Sequence, residues 1–175
     1  MKAENIYKIN ELDEHEKEFA LEQIEDVLKE KFRKEELPKY TYAIKMFEIM
    51  FNVKINDYDI DDYCINYDFE IQDKCTDIIN DEPHLLSFVL MNYYPTYKRI
   101  MAEDTTEELL TIVEPMERFM FGNWYCTSYY EIIEKCIVEL LNDLKSKIDD
   151  YTTEPKCLQY GRHLEFFADG FLRNN

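Results

Sequence analysis

Along most of this chain the apolar residues recur every three or four positions, and along one short stretch they recur every two. Asp13 has the chemistry of an N-cap with Glu16 as its return partner, and Phe19, Ile24, Val27 or Leu28, and Phe32 follow at helical spacing. The spacing predicts a first helix from about residue 14 to 35. A second follows Leu37-Pro38, with Tyr40, Ile44, Phe47, Met50 and Phe51 on one stripe; proline suits a first helical turn because its missing N–H is unpaired there anyway. Together they predict a helical hairpin over 1–52, joined by "KEELPK".

The period then changes. Tyr63, Ile65, Tyr67, Phe69 and Ile71 alternate with Cys64, Asn66, Asp68 and Glu70, the two-residue period of a half-buried strand. Val53 and Ile55 open a shorter strand before it, and the Asp-rich "NDYDIDD" between them reads as a hairpin turn, so 53–72 is a β-hairpin. Helical spacing returns over 82–150. "EPHLLSFVLMNYY" reads as a buried helix stopping before Pro95, because the residue preceding proline is pushed out of the helical region. Thr105-x-x-Glu108 opens a helix interrupted or kinked at Pro115, and Ser128-x-x-Glu131 opens the clearest helix, with Ile133, Ile137, Leu140, Leu144 and Ile148 on its face. Residues 153–175 end in "HLEFFADGFL", a hairpin turning at Ala-Asp-Gly with Gly170 supplying a positive φ. The expected fold is α+β: about five helices with a small antiparallel sheet formed by 53–72 and the terminal hairpin, in one domain spanning 1–175.

Composition supports a folded chain. Apolar residues make up 46% and 25 residues are Tyr or Phe, so a core can form despite 33% charge; three glycines and five prolines leave few turns. The formal charge of −18 is global, with 21 acids against 11 bases up to residue 80 and 17 against 9 after it. Such a charge opposes direct nucleic-acid binding, whose affinity comes mainly from Lys and Arg, and opposes anionic membranes; a basic protein partner is the electrostatic complement. Five cysteines without C-x-x-C spacing, a polar N-terminus and no long apolar run fit a reduced, cytoplasmic protein.

Candidate chemistry is sparse. Asp57, Asp59 and Asp61 mimic the opening of a calcium loop with Asp68 at its twelfth position, but Asp62 stands where an EF-hand needs glycine and the flanks have strand periodicity. Among 38 acids no carboxylate pair is distinctive, and His15, His84 and His163 have no second ligand at metal-binding spacing. No phosphate-binding glycine motif occurs. The reading is of a chain with no catalytic residues, no metal and no cofactor. Trp124 lies in "FMFGNWYCTSYY", an aromatic connector expected to pack the core, with an exposed contact patch as the alternative.

An anionic surface is the alternative. Side chains two apart on a strand lie about 6.6 Å from one another on one face, so Asp57, Asp59 and Asp61 beside Asp62, or Asp68 and Glu70, can form carboxylate rows comparable with the phosphates of a nucleic-acid strand. A second base-free acidic block contains Glu103, Asp104, Glu107, Glu108, Glu114 and Glu117. Tyr58, Tyr63 and Tyr67 are interleaved as possible anchors, although the ordinary arrangement puts Tyr63 and Tyr67 on the core side with the acids merely solvating the other.

The opening "IYKINELDEHEKEFALEQ" resembles a family of small proteins frequent in phages and prophages of Firmicutes and other bacteria, which begin with a pattern close to Y-K-F-x-E-L-S-E-E-A-K-E-K-A. Tyr7, Lys8, Glu11, Leu12, Glu14, Lys17, Glu18 and Ala20 match; Ile9, His15, Glu16 and Phe19 depart from it. The ending "LEFFADGFL", with Glu165, Phe166, Asp169 and Gly170, resembles that family's E-F-x-x-D-G close. The resemblance implies a β-ribbon after the first helices, a long late helix, and a phage-encoded accessory protein without established catalytic residues. "YGRHLEF" is also similar to part of an antirestriction family of DNA mimics. The functional expectation is an anti-CRISPR or antirestriction type of inhibitor that binds a basic, nucleic-acid-handling host protein such as a nuclease or CRISPR effector in the bacterial cytoplasm. The alternative is a non-catalytic structural or regulatory interaction module with aromatic contacts.

Overall fold

In the computed structural model, residues 6–60, 65–73, 82–103, 105–122, 126 and 128–173 are described. They contain seven α-helices and one two-stranded antiparallel sheet: α1 (Glu14–Glu35), α2 (Leu37–Phe51), β1 (Val53–Ile60), β2 (Ile65–Ile71), α3 (Glu82–Asn92), α4 (Tyr94–Glu103), α5 (Glu107–Met120), α6 (Tyr129–Tyr151) and α7 (Glu154–Gly161). The α+β class stands, and the expected five helices become seven among the described residues. The chain divides into two compact units, residues 1–37 with 146–175 and residues 38–145, a division that the one-domain reading did not draw.

In the first unit, Asp13 caps α1 by accepting from the backbone N–H groups of His15 and Glu16 at 3.0 and 3.1 Å. Ala20, Ile24, Leu28 and Phe32 recur every four residues on its buried stripe, and the first three pack with Ile9, Cys157 and Phe166. α7 approaches this stripe closely: a Cβ on Gly161 would lie 2.7 Å from the Ile24 side chain. Residues 153–175 therefore hold a helix before their turn, with Pro155 in its first turn. The final hairpin forms as expected, with Phe166 bridged to Leu172 and Gly170 at φ +81°, but its outer neighbour is Tyr7 and not the 53–72 ribbon. Gln23 fastens it to α1, donating to the Gly170 carbonyl at 2.9 Å and accepting from the Leu172 N–H at 3.1 Å.

α1 and α2 are separated by Glu36 alone, so "KEELPK" is almost wholly helical and not a loop. In the second unit α2 buries Tyr40, Ile44, Phe47, Met50 and Phe51, the stripe read from its spacing, and ends at Asn52, whose φ of 51° turns the chain into β1. Phe51 lies 5.0 Å from Phe47 and 6.2 Å from Tyr93, which stacks on Tyr129 at 5.3 Å. Each such ring contributes about 1.5–3 kcal/mol by leaving water. α3 is less buried than expected: Leu85 and Val89 are enclosed, while Met91 is 79% exposed. α3 stops before Pro95, and a further helix starts at once, because Pro95 falls in the first turn of α4. α5 runs unbroken through Pro115 to Met120, so of the expected interruption or kink the interruption is absent. Its cap is Thr106, which accepts from the Leu109 N–H, and not Thr105, whose hydroxyl donates to the Met101 carbonyl. Ser128 caps α6 as expected, accepting from the Glu131 N–H at 3.1 Å.

Candidate acidic interface

The β1–β2 ribbon is built on an interruption. Strict alternation from Val53 and Ile55 would turn Asp57 and Asp59 to the apolar side and Tyr58 and Ile60 to the polar side. A bulge between Ile55 and Asp57 accommodates Asn56 as an extra residue and restores the faces. Beyond it Tyr58 pairs with Tyr67, continuing the apolar side of Val53/Ile71 and Ile55/Phe69, and the ladder runs on to Ile60 opposite Ile65. The opposite side takes Lys54/Glu70 and Asp57/Asp68. Asp57, Asp68 and Glu70 thus share one side of one ribbon, and Asp59 follows in the ladder opposite Asn66.

Asp57 and Asp59 are accordingly strand residues, a correction to the reading that placed them in a turn; β1 gains its last four residues because the bulge keeps them pairing. Asp57 faces Asp68 directly, and like charges so placed destabilise a strand pair. Asp57, Asp68 and Glu70 are exposed, Asn56 Nδ2 donates to Asp68 Oδ2 at 3.1 Å, and no ion pair reaches these acids among the described residues. A shallow hollow of about 190 Å³ lies along Asp57, Tyr58, Asn66, Tyr67 and Asp68. Asp61, Asp62 and Tyr63 lie outside the described residues, as do Asp104 and Trp124.

The second acidic block does not form one surface. Glu103 and Glu107 are exposed, whereas Glu108 is only 6% exposed, a correction to its assignment as a partner-binding residue. Helical spacing explains this: Glu108 stands four residues before buried Ile112 and beside buried Leu109, on the inner side of α5. Glu114 is paired with Arg118 through Arg118 Nη2, and Glu117 accepts from Tyr97 Oη.

That last bond belongs to a pattern the sequence reading missed. Tyr40 donates to Asp143 at 2.6 Å, Tyr67 to Glu134 at 3.1 Å, Tyr93 to Asp73 at 3.4 Å, and Tyr151 to Glu35 at 3.5 Å. Burial, then the hydrogen bond and the charge of the partner carboxylate, raise the pKa values of Tyr40, Tyr67 and Tyr97. A chain with 38 acids and 20 Lys and Arg lacks cations for all its carboxylates, and 14 tyrosines supply neutral donors instead. That disproportion was the available signal. Tyr67 is therefore half-buried and hydrogen-bonded, not a free anchor. Tyr130, 52% exposed, is the ring offered beside the ribbon, stacked on Phe69 at 4.7 Å.

His15, His84 and His163 are all exposed, and the described residues hold no group of three or more His, Cys, Asp or Glu able to bind a metal. Burial raises the pKa of the Cys136 thiol, which is fully enclosed. No helix of the described residues is long and apolar enough to cross a membrane. No protein-family model, curated protein or solved structure matches the chain.

Proposed function

We propose that this chain is a non-catalytic phage or prophage anti-defence protein that inhibits a basic, nucleic-acid-handling host protein in the bacterial cytoplasm. A nuclease or CRISPR effector is the partner that fits its charge. The observation carrying this reading is the Asp57/Asp68 pair facing itself across the ribbon, on the side that also carries Glu70. Two carboxylates held opposite each other cost stability in the free protein, and a lysine or arginine from a partner relieves that cost on binding. The carboxylate row stands in for phosphates in the partner's nucleic-acid channel, and the −18 charge steers the encounter. The phage-like opening and ending residues support the biological setting.

The test is inhibition of a panel of restriction nucleases and CRISPR effectors at low and high salt, with a variant reversing Asp57, Asp59, Asp68 and Glu70 to Lys. The expected result is salt-sensitive inhibition that the variant loses by at least about a hundredfold, since close interfacial charge pairs couple by several kcal/mol. Unchanged inhibition by the variant sinks the role of the ribbon, and inactivity against the whole panel sinks the anti-defence reading. The exposed Tyr130 on Phe69 favours a second reading, an interaction module with aromatic contacts. Its mark is binding that survives high salt and is lost on Tyr130→Ala.

A further inference from the structure

The unit formed by 1–37 and 146–175 carries a hollow whose lining reverses the chain's charge bias. About 280 Å³ in volume, it is bounded by Leu28, Tyr151, Lys156, Gln159, Tyr160 and His163, without one carboxylate. The local sequence explains the set. Lys156, Gln159, Tyr160 and His163 stand at i, i+3, i+4 and i+7 along α7 and the turn after it, so they project to one side. Leu28 of α1 and Tyr151 at the end of α6 supply the apolar floor. Lys156 Nζ lies 6.0 Å from the Tyr151 ring centre. Beyond Tyr160 a second hollow of about 410 Å³ adds Lys31 and Lys34, and Lys31 Nζ lies 6.0 Å from the Tyr160 ring centre; its carboxylates, Asp26, Glu30 and Glu35, line that second hollow and not the first.

We propose that the carboxylate-free hollow binds a small aromatic anion of the nucleoside monophosphate class. The tyrosine rings and Leu28 present apolar and π surface to a planar base. Lys156 supplies a compact charge for a phosphate, the His163 ring adds a donor, and the Gln159 amide offers both a donor and an acceptor to a polar edge. Recognition of a carboxylate by a bidentate clamp would call for arginine, and none lines the hollow. The volume sits at the small end of ligand cavities, which suits one nucleotide and not a longer strand. At physiological ionic strength fields decay over about 8 Å, so one phosphate responds to Lys156 beside it and, opposing it, to Glu35, which accepts from the Tyr151 hydroxyl, while a polynucleotide meets the −18 charge of the whole chain. This proposal is independent of the acidic ribbon.

Titration calorimetry of the full chain with AMP, adenosine and inorganic phosphate as separate probes tests it, alongside NMR shift mapping on the wild-type protein. The expected result is saturable 1:1 AMP binding, with adenosine and phosphate each weaker by about tenfold or more, as befits loss of one charged or one stacking contact. Shifts should centre on Tyr151, Tyr160 and His163. The double variant Lys156→Glu with His163→Ala changes two exposed side chains and should weaken AMP by at least about tenfold while leaving adenosine unchanged. No saturable AMP signal at millimolar concentration, affinity for phosphate equal to that for AMP, or shifts centred elsewhere would each overturn the proposal. So would unchanged AMP affinity in the folded variant; should that variant fail to fold, the wild-type titrations and shift map decide alone.

Discussion

Tyr40→Phe isolates what a tyrosine donor does for a carboxylate in this fold. Tyr40 is fully enclosed and its hydroxyl gives a 2.6 Å bond to Asp143. A hydrogen bond to a charged acceptor contributes about 1.5–3 kcal/mol; Asp143 is only half-buried, so water recovers part of the loss and the lower end, about 1.5 kcal/mol, applies near neutral pH. The pH dependence is the sharper signature. Burial first, then the Asp143 bond and charge, raise the Tyr40 pKa well above its ordinary value of 10. Above that pH the unfolded chain releases the proton while the folded protein retains it. The stability is therefore complete below pH 10 and falls as pH rises beyond it, by about 1.4 kcal/mol for each further unit until the folded pKa is reached.

The phenylalanine variant carries no such proton. Urea unfolding of both proteins should show the variant about 1.5 kcal/mol less stable near pH 8, with the gap closing towards zero about one unit above the tyrosine's ordinary value, because only the wild type loses that increment. Lysines and the remaining tyrosines titrate in both proteins and cancel in the difference. A gap that stays constant from pH 8 to 11 would refute the reasoning, since it would mean that the Tyr40 hydroxyl titrates alike in folded and unfolded chains.

Other positions yield simpler tests. Gly170→Ala places a Cβ 2.5 Å from the Glu16 carbonyl oxygen at a φ of +81°; thermal melting should report a loss of at least about 2 kcal/mol. Thr106→Ala should cost about 1 kcal/mol and Thr105→Ala less in urea unfolding, since only Thr106 caps α5. Asp57→Lys replaces a like-charge pair with an opposite one; the free protein should gain up to about 1 kcal/mol at low salt, and less at high salt, while partner inhibition weakens.

The long helices were legible because their stripes are long. α1 was expected at about 14 to 35 and spans Glu14–Glu35, with Ile24 and Phe32 of the expected stripe buried. The stop before Pro95 held for α3, but proline went unread as a start. Pro95 and Pro155 lie in first turns, where a missing N–H costs nothing, and α4 and α7 went unread behind them. At the Thr105-Thr106 pair either hydroxyl matches a cap, and Glu108, counted among the acids, sits four residues before Ile112 on the buried face. The acids of the candidate interface were named from composition, but their juxtaposition was not readable. Asp57 meets Asp68 only because Asn56 is extra, and nothing in "VKINDYDI" marks which residue the ladder omits.

Asn56 also separates chain length from surface character. The strand reads as two phases of one alternation, and the extra residue is the seam between them. Losing one residue at the seam joins the phases: Ile55 still meets Phe69, Tyr58 still meets Tyr67, and the acids keep their side. Losing one residue in β2 between Asn66 and Asp68 inverts the parity and drives carboxylates towards the apolar side. The ribbon therefore has a place where a deletion is silent, set beside residues where the same event turns the surface inside out.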